Sequence, residues 1–113
     1  AIAAHRRAVE LLPDAPLLRI NLAHALIETN DSGRLEEAVQ HLKTATARET
    51  DNTLAWRLLA QAYSSQGKEG EARLASAELY FAAGGAQQAT QFALRARDML
   101  PRGSLEWRRA MDI

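Results

Sequence analysis

Leu22-Ala23 returns as Leu59-Ala60, Leu26 as Tyr63, Ala8 as Ala45 and Pro13 as Thr50, each pair 37 residues apart. Ala38 returns as Ala72, 34 residues on. The three-residue difference falls in the loop around Asp31-Ser32-Gly33, so the underlying period is 34 with one short insertion. A repeat of that length is a supersecondary unit that cannot bury its apolar face alone and must stack on its neighbours. The unit is helical. The apolar residues include 23 alanines and 16 leucines but only two valines and four isoleucines. Alanine and leucine favour helix, whereas strands draw on β-branched and aromatic residues.

Proline, glycine and capping residues divide the chain into seven helical segments. Pro13 stops the first, because it lacks an amide donor and disfavours helix in the residue before it. Asp14 is the expected cap of the second, with Pro16 in its first turn and Leu18, Leu22, Leu26 and Ile27 at helical spacing. The third is expected over 34–49, with Leu35, Ala38, Val39, Leu42 and Ala45 on one face. Asp51 or Asn52 caps the fourth, which carries Trp56, Leu59, Ala60 and Tyr63 and ends at Gly67. The fifth spans about 69–83 and the sixth about 86–100, with Gly84-Gly85 between them and Pro101 after. Ser104 caps a short seventh that carries Trp107 and Met111. Short connections imply antiparallel neighbours, and the repeat favours an open stack of hairpins over a closed bundle.

The residues that recur resemble the tetratricopeptide repeat. Residues 53–63, TLAWRLLAQAY, supply Trp56, Leu59, Ala60 and Tyr63 in the register of its helix A. Residues 67–72, GKEGEA, resemble its inner turn, with the small Ala72. Residues 84–101 supply Gly84, Ala89, Phe92, Ala96 and Pro101 in the register of helix B. Arg19 departs from the pattern where the tryptophan of the second repeat is expected, and Thr50 stands where proline is expected. Gly67 and Gly84 lie only 17 apart, so the fifth segment reads both as helix B of one repeat and as helix A of the next. The resemblance implies an all-α solenoid over residues 1–113, of about three repeats plus a C-terminal capping helix. The chain opens in mid-pattern without a cap, which reads as a fragment of something longer.

Chemistry is sparse. There is no cysteine, hence no disulfide framework, thiolate metal site or cysteine nucleophile. His5, His24 and His41 do not fall at the spacing that sets two zinc ligands on one helical face. No serine sits in a nucleophile elbow, and Gly67-Lys68 lacks the glycine of a phosphate-binding loop. No catalytic residue, metal site or cofactor is expected. Fourteen basic residues balance fourteen acidic ones. That balance disfavours nucleic acid as a partner. The one basic-aromatic cluster is Arg95, Arg97, Arg102, Arg108 and Arg109 around Trp107. It is offset by Asp98, Glu106 and Asp112, and reads as a solvated end whose Trp107 and Met111 cap the stack. No run of about 18 apolar residues offers a membrane span.

A concave groove remains as the expected binding surface, for protein or peptide segments. The repeat register exposes Ile20, Asn21, His24 and Glu28 there in the second repeat, and Arg57, Gln61 and Ser64 in the third. Asn21 stands where the family often places an asparagine that holds a peptide backbone, and Arg57 is suited to a carboxylate. There is no pair of lysines to clamp a terminal carboxylate. Self-association through exposed helix faces is a further expectation.

The last third resembles a narrower group. Residues 77–113 are similar to the C-terminal end of bacterial zinc metalloproteases of the His-Glu-x-x-His type. These are periplasmic relatives of the CAAX prenyl endopeptidases and carry tetratricopeptide repeats behind the protease domain. The residues that carry the likeness are Tyr80, Gly84, Ala89, Ala93, Ala96, Leu100-Pro101, Gly103-Ser104, Trp107, Arg109-Ala110 and Asp112-Ile113. It implies a non-catalytic domain of an exported zinc endopeptidase, periplasmic, with the zinc held by the catalytic domain of the same polypeptide. A stand-alone adaptor in the cytoplasm is the alternative.

Overall fold

The computed structural model describes residues 1–113 as seven helices and no strand. They are α1 (Ile2–Leu11), α2 (Pro16–Glu28), α3 (Ser32–Arg48), α4 (Thr53–Ser65), α5 (Glu69–Ala82), α6 (Ala86–Met99) and α7 (Leu105–Asp112). Each packs on its neighbours in sequence. Beyond that, the backbones of α2 and α4 and of α5 and α7 also come close across an intervening helix. That pattern is a stack of hairpins, 39 × 27 × 21 Å, in place of a closed bundle.

The punctuation has identifiable causes. Asp31, Asn52 and Ser104 accept hydrogen bonds from the amides of Arg34, Ala55 and Trp107, capping α3, α4 and α7. Gly67 and Gly84 follow α4 and α5 with φ of +76° and +85°, a conformation that costs glycine little and other residues more. Two expectations fail locally. Ala15, not Asp14, is the N-cap of α2, and it has no side-chain cap bond. Pro16 at the first helical position removes one amide that would need a partner and fixes φ for the helix. The third helix starts at Ser32, two residues early, because Asp31 supplies the cap.

The main core joins α1 to α5, with Ile20, Leu22, Leu26 and Leu42 its largest fully buried side chains. The repeat register puts Ile20 on the exposed groove, but the fold does not. Ile20 is 1% exposed and belongs to this core. The α5–α6 contact is different in kind. Ala72, Ala75 and Ala77 on α5 and Ala89, Ala93 and Ala96 on α6 are buried. A Cβ on Gly70 would lie 3.0 Å from Leu100 Cδ2 and 3.2 Å from Met99 Cβ, so the start of α5 meets the end of α6 almost backbone to side chain. Small residues permit that approach. Like every interior helix of the stack, α5 packs along both its neighbours in sequence, α4 on one side and α6 on the other. At the C-terminus, Trp107 is half-buried against a small cluster of Ala96, Leu100 and Ala110, whereas Met111 stays half exposed outside that cluster.

Candidate binding cleft

Helices α3 and α5 both pack on α4 but not on each other. The space between them is a cleft of about 720 Å³. Its floor is Trp56, Leu59 and Tyr63, which the three- and four-residue spacing sets on one face of α4. Thr46 and Ala47 of α3 form one wall, and Leu74, Ala75, Phe81 and Ala82 of α5 the other. Leu105, Glu106 and Arg109 of α7 stand at one end. The Trp56 indole is fixed in place by donating to the Thr50 carbonyl at 2.9 Å. Two large apolar side chains at the cleft remain open to solvent, Phe81 at 57% and Leu105 at 78% exposed.

The equivalent place one repeat earlier is crossed by side chains. Arg19 replaces Trp56 and donates to the Pro13 carbonyl at 2.9 Å, the same bond 37 residues upstream. Its guanidinium also meets His41 Nδ1 at 2.9 Å. Above it, Arg6 of α1 grips the Glu37 carboxylate of α3 through two nitrogens, at 2.7 and 3.3 Å. A matching strap joins α5 to α7, where Arg109 grips Glu78 at 2.6 and 2.8 Å. Bidentate arginine–carboxylate pairs fix geometry as well as adding attraction. Between these two straps lies the cleft over α4. Lys43 and Glu71 hold the repeat positions of Arg6 and Glu37 there, yet they form no ion pair and line an open space.

The charge around the cleft is uneven. Glu78 and Arg109 offset each other. Asp51, Glu71 and Glu106 then face Lys43 alone. The Tyr63 phenol registers this field: burial pushes its pKa up to about 12, and the Glu71, Glu106 and Glu36 carboxylates add to the shift.

Asn21, His24 and Glu28 are exposed on α2, and Arg57, Gln61 and Ser64 are exposed on α4. None of the six lines the cleft. On α4, the two sets of side chains are separated by about 130° around the helix. His24 and Glu28 face each other at 3.3 Å, and the Ser64 hydroxyl donates to Glu69 at 3.4 Å. The repeat register alone places Trp56, Leu59 and Tyr63 on helix A without marking them as the lining of a cleft. Their place on the cleft floor had one visible signal, the substitution of arginine for tryptophan at the same register position in the preceding repeat. The three histidines are dispersed, and no group of three His, Asp or Glu side chains is placed to hold a metal. No helix is long and apolar enough to cross a membrane.

Residues 30–75 match the family model of the tetratricopeptide repeat. That stretch holds α3, α4 and the first half of α5, so the matched repeat contains the cleft's floor and much of both walls. No curated protein matches the chain. Tetratricopeptide repeats are protein-interaction modules, and the all-α hairpin stack agrees with that fold.

Proposed function

We propose that this chain is the partner- or substrate-handling domain of an exported zinc endopeptidase, and that it holds polypeptide segments in the cleft over α4. The observation that carries the binding reading is the open cleft itself. An arginine–glutamate pair bridges α1 to α3 and another bridges α5 to α7, whereas none bridges α3 to α5, and the aromatic rings of the floor are partly accessible. A concave apolar site with a few polar groups is the usual form of a ligand pocket, and about 720 Å³ falls within the usual range of about 300–1,000 Å³. The likeness of residues 77–113 to the ends of periplasmic proteases supports the rest of the reading. On that reading the domain does no chemistry. It raises the local concentration of a polypeptide near a zinc site held elsewhere in the same protein.

The coding sequence on the Ala1 side of the frame tests the assignment. The expected result is an export signal and a His-Glu-x-x-His helix, followed by slower proteolysis of an unfolded substrate when residues 1–113 are deleted. Further repeats without a zinc motif would overturn the protease assignment and leave a peptide-binding adaptor. Binding lost in Asn21→Ala or Arg57→Ala, but not in cleft variants, would move the contact to the exposed polar face of α2 and α4.

A further inference from the structure

We infer that the cleft over α4 selects an amphipathic helical segment with an apolar face and lysine or arginine flanks. This rests on the binding reading above and names the partner's chemistry. Three observations carry it.

The first is shape. The walls α3 and α5 are helices, the floor α4 is a helix, and the backbones of α3 and α5 stay apart. A helix with its side chains is about 10–12 Å across. A cleft of about 720 Å³ is too small for the body of a three-turn helix but large enough for one of its faces. Helix-in-groove recognition works this way, with anchors three, four and seven residues apart.

The second is the surface offered. Trp56, Leu59 and Tyr63 form a floor with partly buried aromatic rings, flanked by the exposed Phe81 and Leu105. Aromatic side chains at the centre of an interface supply much of its binding energy.

The third is charge complementarity. Three carboxylates, Asp51, Glu71 and Glu106, surround that floor against one free cation, Lys43. In the strapped interface over α2, the carboxylate at the Glu71 position is Glu37, and it is held by Arg6 of the same chain. The geometry leaves Glu71 without such a partner. A basic side chain on the incoming helix would pair with Glu71, with which Lys43 forms no ion pair, as Arg6 pairs with Glu37 one repeat earlier.

Fluorescence anisotropy on residues 1–113 tests this with three labelled 14-residue peptides. One is an amphipathic helix of leucine and lysine, one replaces every lysine by glutamate, and one scrambles the first so that no apolar face forms. The lysine helix is expected to bind at least about tenfold more tightly than either of the others. Glu71→Gln with Glu106→Gln should weaken it by about three- to tenfold and flatten its salt dependence. Phe81→Ser and Leu105→Ser alter exposed positions, so folding should survive, as circular dichroism will report. Each should weaken binding by about fivefold or more. If the lysine and glutamate helices bind equally and both are lost in Phe81→Ser, the cleft binds segments but the charge selection is wrong. If no peptide binds better than the scrambled one, both the selection and the binding reading fall. A mass that doubles with concentration in the parent chain and not in Phe81→Ser would make the occupant a second copy and overturn the inference.

Discussion

From α1 to α4 the helices are held by leucine, isoleucine and valine, whereas from α5 to α7 they are held mostly by alanine. The first part shares one core in which Ile20, Leu22, Leu26 and Leu42 are fully buried. In the second, the buried residues of α6 are Ala89, Ala93 and Ala96, and the separate cluster at the end has three members, Ala96, Leu100 and Ala110. Apolar burial stabilises in proportion to area, at about 25 cal/mol per Å². An alanine removes far less area than a leucine. The C-terminal part therefore relies on close approach and on a few specific contacts. Tyr80 of α5 stacks on Phe92 of α6 with centroids 5.4 Å apart. The Glu78–Arg109 strap fastens α7, with the same guanidinium 5.7 Å over Phe81. The cleft lies where the two constructions meet. Its floor and one wall belong to the leucine-rich part, and its other wall and end belong to the alanine-rich part.

The comparison can be broken most forcefully at Leu26. Leu26→Ala leaves a cavity in a fully buried position and should cost about 2–5 kcal/mol, read from urea unfolding. A cost near zero would mean that the leucine core is not what holds the first part together. Ala93→Leu tests the other construction. Position 93 is 3% exposed and sits in the α5–α6 contact, so added bulk should destabilise by about 1–3 kcal/mol. If the leucine stabilises instead, the alanine packing is loose and the argument from close approach fails.

The smallest effect concerns pH and separates the strapped interface from the open one. The Arg19 guanidinium has only donors, so His41 Nδ1 accepts from it and the ring is neutral, with its proton on Nε2 toward Glu37 at 3.5 Å. Burial lowers the His41 pKa below its usual value. Arg19 and Arg6 lower it further, and Glu37 opposes them. The folded state thus binds fewer protons than the unfolded one as pH falls through about 6.5. Stability conferred by the neutral ring is complete above that pH and declines as pH drops below it. The contributions of Glu36 and Glu37, whose pKa values are lowered by hydrogen bonds from Gln40 and Arg6 respectively, are lost only at lower pH. Unfolding midpoints at pH 7.5 and 5.5 should differ in the parent chain and differ less in His41→Asn. An unchanged slope in the variant would remove His41 from the account.

Much of this architecture was legible in the residues. The recurrence of Leu22-Ala23 as Leu59-Ala60 implied the stack, and Asn52, Ser104, Gly67 and Gly84 marked helix ends where they occur. Ile20 was misplaced because α2 is apolar on more than one face, so repeat register alone does not tell groove from core there. The cleft was not legible for a related reason. Arg6 with Glu37, and Lys43 with Glu71, occupy the same repeat positions with the same signs. Only three-dimensional spacing decides that the first pair closes an interface and the second stands open.

The claim that a firmly held floor meets a lightly held wall is tested most directly by native-state hydrogen exchange, resolved residue by residue. The slowest amides should lie in α2, α3 and α4, Trp56 to Tyr63 among them, with α6 and α7 opening at clearly lower free energy. Exchange in α5 to α7 as slow as in α2 to α4 would contradict it, and would mean that alanine packing and the Glu78–Arg109 strap hold the second part as firmly as leucine holds the first.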